Sequence, residues 1–252
     1  MKRLFAFQGI RMRNNRTLFL LPLLLVIIGI SGIFLGYLYG GSDATPKTRL
    51  LFLYNAYLQF TFLFLLYVFV STFAKDFSNG TYTYMKQIGY SMSKCLASKS
   101  VILFLCSFFV INIFMAITSF VFNNTDLGFL ILMLLSINLA IIFIIFFAMV
   151  LSLTIKKTMP ATLTGYGMFI LLNIVNLVGY GLSNPADGNS LSYTTFSALS
   201  GQTISHYSLS KISIDYEKYR YILTTVPAFF WICILLLVVV LILKKRGKRN
   251  KI

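Results

Sequence analysis

Acidic side chains are scarce in this chain, six against 22 Lys and Arg, and charged residues of both signs make up only 11% of it while 58% is hydrophobic. So little charge cannot hydrate the exterior of a soluble domain of 252 residues, which excludes that class. Lipid must be the solvent for much of the chain. Histidine is nearly absent: His206 is the only one, which argues against an intramembrane protease built on a metal. Cysteine is equally thin. Cys95, Cys106 and Cys233 are an odd number and do not fall where a secreted disulfide framework would need them, so free thiols are expected. The Gly-x-x-x-x-Gly-Lys-Ser/Thr run that cradles nucleotide phosphates is missing, and the sole Gly-Lys pair, Gly247 and Lys248, sits in a basic tail.

What is plentiful is apolar length. A helix needs roughly 20 mainly apolar residues to cross ~30 Å of hydrocarbon, because it must satisfy every backbone amide within itself. Six stretches qualify: 18–39, 50–74, 100–122, 128–154, 161–182 and 222–243. The fold class is therefore all-α, a single polytopic membrane domain with six transmembrane helices. The first stretch follows Lys2, Arg3, Arg11, Arg13 and Arg16 as the core of a signal peptide would, but it is too long and lacks a small-residue cleavage site. A retained span is expected.

The basic residues give the orientation. With a cytoplasmic N-terminus, five cations precede the first span, and Lys75, Lys86, Lys94 and Lys99 follow the second. Lys156 and Lys157 lie between the fourth and fifth, and six more end the chain, so 17 of the 22 cations face inwards. Five of the six acids, Asp43, Asp126, Asp187, Asp215 and Glu217, fall outside. The positive-inside bias places both termini in the cytoplasm. It also disfavours nucleic acid as a partner, since the cations are spread over four membrane-flanking segments where anionic lipid headgroups are their counter-charge. Tyr37, Tyr39, Tyr54, Tyr57, Tyr180 and Tyr221 fall near the expected outer interface, where a tyrosine ring can keep its hydroxyl wet.

Residues 1–16 interleave Leu4, Phe5, Phe7 and Ile10 with basic residues, which suits either a short interfacial helix or a disordered tail. The outer connection 183–221 is long enough for a short interfacial or re-entrant helix, although a solvated loop fits its composition as well. The inner segment 75–99 is the most informative. Ser78, Asn79 and Gly80 break the second span, Thr81 to Ile88 has no breaker, and Gly89 suits a left-handed helix end. Ser91 or Ser93 then caps a helix that runs through Lys94 and Lys99 into the third span. A short helix displaying Tyr82, Tyr84, Met85, Lys86 and Gln87 is thus expected against the ends of two spans, with contact area for a protein or for headgroups.

This segment resembles the ABC-2 permease family. Members commonly carry, after the second span, an acid and an aromatic followed by Asn-Gly-Thr, then a helix, a Ser-Arg pair and a downstream Lys. Here those positions read Asp76, Phe77, Ser78, Asn79, Gly80 and Thr81, then Ser93, Lys94 and Lys99. Asp76 replaces the more usual Glu and Lys94 the more usual Arg, and the Pro often found before the pair is missing. The resemblance implies an ATPase-coupling helix made by Asp76, Asn79, Gly80, Thr81, Tyr82, Tyr84, Met85, Lys86 and Lys94. It also implies a separate ABC ATPase subunit as partner, which holds the ATP and magnesium while this chain binds no cofactor itself, and a second permease copy in a homo- or heterodimer. Within the family the chain is most similar to compact exporters of amphipathic peptides from Gram-positive bacteria, which implies peptide export at the cell membrane. Export of lipids or drugs, and an ATP-independent receptor or channel, remain open as alternatives.

No span holds a Lys, Arg, Asp or Glu in its middle, which argues against coupling to an ion gradient. Uncharged polar residues do enter: Asn55, Gln59, Asn112, Asn138, Asn173 and Asn176. They are candidates for the substrate path or for hydrogen bonds between helices. Gly32, Gly36 and Gly40 recur every four residues along the first span. That groove admits another backbone, either from within the subunit or from a second one.

Overall fold

The computed structural model describes residues 2–14, 16–40, 45–123, 126–182 and 229–245. Every regular element among them is a helix: α1 Lys2–Asn14, α2 Thr17–Gly40, α3 Pro46–Ser78, α4 Thr81–Gln87, α5 Met92–Val121, α6 Leu127–Ile155 and α7 Thr158–Leu182. A further helix covers 229–245. Four segments, Phe19–Leu38, Thr48–Ser78, Met92–Val121 and Leu127–Ile155, are long and apolar enough to cross a bilayer, and the chain is a membrane protein on that ground. α7 and the helix over 229–245 fall on the other two apolar stretches. The connection 183–221 lies outside the described residues.

The helices start where local chemistry allows. Thr45 accepts the Thr48 amide ahead of Pro46, whose ring sets the first turn of α3. The Ser91 hydroxyl accepts the Lys94 amide and opens α5, and the Asp126 carboxylate takes the Phe129 amide at 2.9 Å to open α6. α3 runs past its apolar stretch at both ends and α5 at one, and these extensions carry Lys75 and Asp76 on the first and Lys94 and Lys99 on the second.

Helices α3 and α6 form the centre. Of their span-length segments 71% and 67% are buried, against 33% for α2 and 28% for α5, so the latter two turn most of their surface outwards. Hydrogen bonds tie the helices together where apolar contact alone would not fix their rotation. The Tyr54 hydroxyl meets Ser136 Oγ at 2.9 Å between α3 and α6, and Tyr166 of α7 donates to the Leu63 carbonyl of α3 at 2.6 Å. Phe62 and Phe169 stack across the same α3–α7 contact with centroids 4.1 Å apart.

One expectation is corrected here, and one open alternative is narrowed. Tyr54 and Tyr57 are wholly buried rather than wet, because the part of α3 that carries them is the centre of the bundle. Of the described tyrosines in that group only Tyr37 is exposed, with the Arg49 guanidinium 4.9 Å over its ring. The side chains of Tyr39 and Tyr180 lie outside what the structure describes, as does Tyr221 as a whole. The glycine groove on α2 is filled from within the chain: a Cβ on Gly32 would stand 2.9 Å from the Leu53 Cα and the Ala56 Cβ, and one on Gly36 would stand 3.4 Å from the Arg49 carbonyl oxygen. Gly32 and Gly36 therefore serve the α2–α3 contact and are not free for a second subunit. The surroundings of Gly40 lie outside the described residues.

Candidate functional site

The corner between α3 and α5 is built from backbone geometry first. Asn79 ends α3, its amide bonding the Lys75 carbonyl at 2.9 Å, and Gly80 then turns the chain with φ +66°. Seven residues later α4 closes with paired bonds, Gly89 to the Lys86 carbonyl at 3.1 Å and Tyr90 to the Met85 carbonyl at 2.9 Å, and Gly89 has φ +86°. Both glycines occupy left-handed backbone that a side chain would strain. A Cβ on either would meet no described atom within 4 Å, so conformation and not space demands glycine there.

The helix between them has two faces. Tyr82 and Met85 are buried, with the Tyr82 ring 4.5 Å from that of Phe77. This corrects the expectation that both are displayed: the last turn of α3 and the start of α5 leave a hollow that these two side chains fill. Tyr84 and Ile88 are 56% and 49% exposed, and Lys86, Gln87 and Lys94 also face outwards. Asn79 and Gly80 are exposed as well.

Beneath α4 lies a cluster of charges. Asp76 and Lys99 are each 2% exposed, and Lys99 Nζ contacts Asp76 Oδ2 while donating to the Thr72 carbonyl at 2.9 Å. Arg11 enters from α1: its Nη2 lies 2.8 Å from Asp76 Oδ1 and donates to Thr81 Oγ1 at 2.6 Å. Asp76 occupies the last turn of α3, where the helix dipole is negative and a buried carboxylate is least welcome. Two cations offset that cost. Among the described residues some buried polar atoms on α1 and α4 find no hydrogen-bond partner: both amide atoms of Gln8, Arg11 Nη1 and the Tyr82 hydroxyl. Burial holds the Tyr82 hydroxyl well above its ordinary pKa, with the Asp76 carboxylate and Cys95 adding to the shift and Arg11 opposing it.

Sequence reasoning placed Asp76 and Thr81 in the candidate site but not what they bond to. Lys99 was visible as part of the motif. Arg11 was counted among the topogenic cations, and its real position is inward, because Leu4, Gln8 and Met12 seat α1 on the bundle by the same flank. The signal was the i, i+4, i+8 spacing of those three residues, with Arg11 one position from Met12.

The polar candidates deeper in the bundle separate. Asn112 and Asn138 bond each other reciprocally between α5 and α6 at 3.2 and 3.3 Å, and each also donates to the carbonyl four residues back at 2.7 Å. Those amides are used by packing, which fits the inter-helix role. Asn55 is half-buried on α3. The side chains of Gln59, Asn173 and Asn176 lie outside the described residues. Cys95, Cys106 and Cys233 are free thiols.

Comparison with known proteins adds no relative: no family model, no curated protein and no solved structure matches this chain.

Proposed function

We propose that this chain is the membrane-spanning subunit of an ATP-driven exporter of the ABC-2 type, crossing the cell membrane six times with both termini in the cytoplasm. The observation that carries the reading is α4: seven residues set between two left-handed glycines, its inner face anchored by Tyr82 and Met85 and its outer face offering Tyr84, Lys86, Gln87 and Ile88. A rigid lever at the ends of two long helices can receive a push from a partner and pass it to the bundle. The cations distributed along the chain and the resemblance around Asp76 to Thr81 support the same reading. A partner ATPase supplies nucleotide and magnesium, a second permease copy completes the path, and amphipathic peptides are the cargo that the resemblance favours.

The test is purification of the tagged chain from its native membrane in mild detergent. An ATPase subunit of about 25 to 35 kDa, the size of one ordinary nucleotide-binding domain, should co-purify, and Tyr84→Ala with Ile88→Ala should lower its yield at least tenfold while the permease itself stays abundant. A chain that folds, inserts and brings no ATPase is a receptor or channel, and the exporter reading is then abandoned.

A further inference from the structure

We propose that Arg11 is a clamp that joins α1 to α4, so that the seating of the N-terminal helix sets how firmly the inner-face helix is held. One nitrogen makes the joint. Arg11 Nη2 bonds the carboxylate at the end of α3 and the hydroxyl of the first residue of α4, straddling the corner made by Ser78, Asn79 and Gly80. That corner is where α4 would hinge, since no described side chain or backbone atom stands within 4 Å of where a Cβ on Gly80 would lie. Apart from this bond, α4 is anchored by Tyr82 and Met85.

Helix α1 has two unlike flanks. One flank, Leu4, Gln8 and Met12, rests on the bundle, while Phe7 and Ile10 are exposed and Arg13 points to solvent. That second flank suits the boundary between headgroups and acyl chains. The seat is imperfect, because the Gln8 amide is buried with neither atom partnered among the described residues, and unsatisfied polar groups lower the cost of opening. A displacement of α1 therefore withdraws Arg11 from Thr81 and frees α4. Lys99 keeps Asp76 neutralised meanwhile, so release does not strand a buried carboxylate. This inference concerns the chain alone and does not depend on the exporter reading.

The test is amide hydrogen exchange on the full chain in lipid nanodiscs. Arg11→Gln should speed exchange across residues 81–88 by about tenfold, the size expected for losing one charge-assisted hydrogen bond, with the α6 core unchanged. Thr81→Val removes the acceptor and should loosen α4 equally while α1, still held by Asp76, exchanges as before. Thr81→Val also serves if Arg11→Gln does not insert. Met12→Ala then tests transmission: it should speed exchange in α1 and α4 together, but in α1 alone when combined with Thr81→Val. Unchanged exchange of 81–88 in Thr81→Val, or an equal effect of Met12→Ala on α4 in both backgrounds, would overturn the clamp.

Discussion

A carboxylate in the last turn of a helix, cut off from water, would normally be neutral or absent, and Asp76 persists because Arg11 and Lys99 both reach it. Such a cluster is a weak source of net stability but is costly to break. Asp76→Asn leaves the Lys99 ammonium buried without a counter-charge and should cost about 3 kcal/mol, the lower end of the range for a broken buried pair. The lower end applies because Arg11 is 21% exposed and solvent screens its share. Removing the charges together, as Asp76→Leu with Lys99→Met, should recover most of that loss. Thermal unfolding of the purified chain in detergent compares the two. If the single and double variants unfold alike, the cost lies elsewhere than in the stranded ammonium.

Between helices the deciding feature is how closely backbones approach. Gly32 has the Leu53 Cα 2.9 Å from where a Cβ would stand, and Cα atoms of a neighbouring helix cannot step aside singly. Gly32→Ala should therefore separate α2 from α3 and cost about 1 to 3 kcal/mol, the usual range for overpacking. Gly36→Ala meets its nearest neighbour at 3.4 Å and should stay within about 0.5 kcal/mol of the wild type. A Cβ on Gly167 of α7 would meet no described atom within 4 Å, so an alanine there should gain up to about 1 kcal/mol from helix propensity. Denaturant titrations of the three variants give the ranking, and a neutral Gly32→Ala would show that the α2–α3 contact is looser than these distances. The same contact explains why the glycine repeat was ambiguous in the sequence: a smooth groove announces close packing but not which backbone fills it.

At the scale of the molecule, the proposed topology puts Asn123, in the turn between α5 and α6, on the opposite side of the membrane from Lys157, in the turn between α6 and α7. In a cysteine-free background, Asn123→Cys should react with an impermeant maleimide added to intact cells and Lys157→Cys only after lysis. The reverse pattern would invert the chain and remove α4 from the cytoplasm. The described helices overlie the apolar stretches to within a few residues, apart from α3 and α5, which extend beyond theirs, and the described part of the last helix, 229–245, falls on the sixth stretch. The turn residues Gly80, Gly89 and Ser91 do what their chemistry suggested. The candidate site was legible in part. Asp76, Thr81 and Lys99 stand in the motif, yet Arg11 lies 65 positions before Asp76 in the chain, and no local pattern links them.

Chain chemistry alone determined that this protein is helical and lipid-embedded, where its long apolar helices lie, and where the chain must bend, because backbone amides in hydrocarbon have no other partner and left-handed turns have few other residues. Only the tertiary structure decided which helices are central, which tyrosines are buried and which cation leaves the surface to hold α4. The reason is physical: protein interior and lipid are almost equally apolar, so hydropathy cannot tell an inward face from an outward one. A long-range ion pair, likewise, exists only once two distant helices have packed.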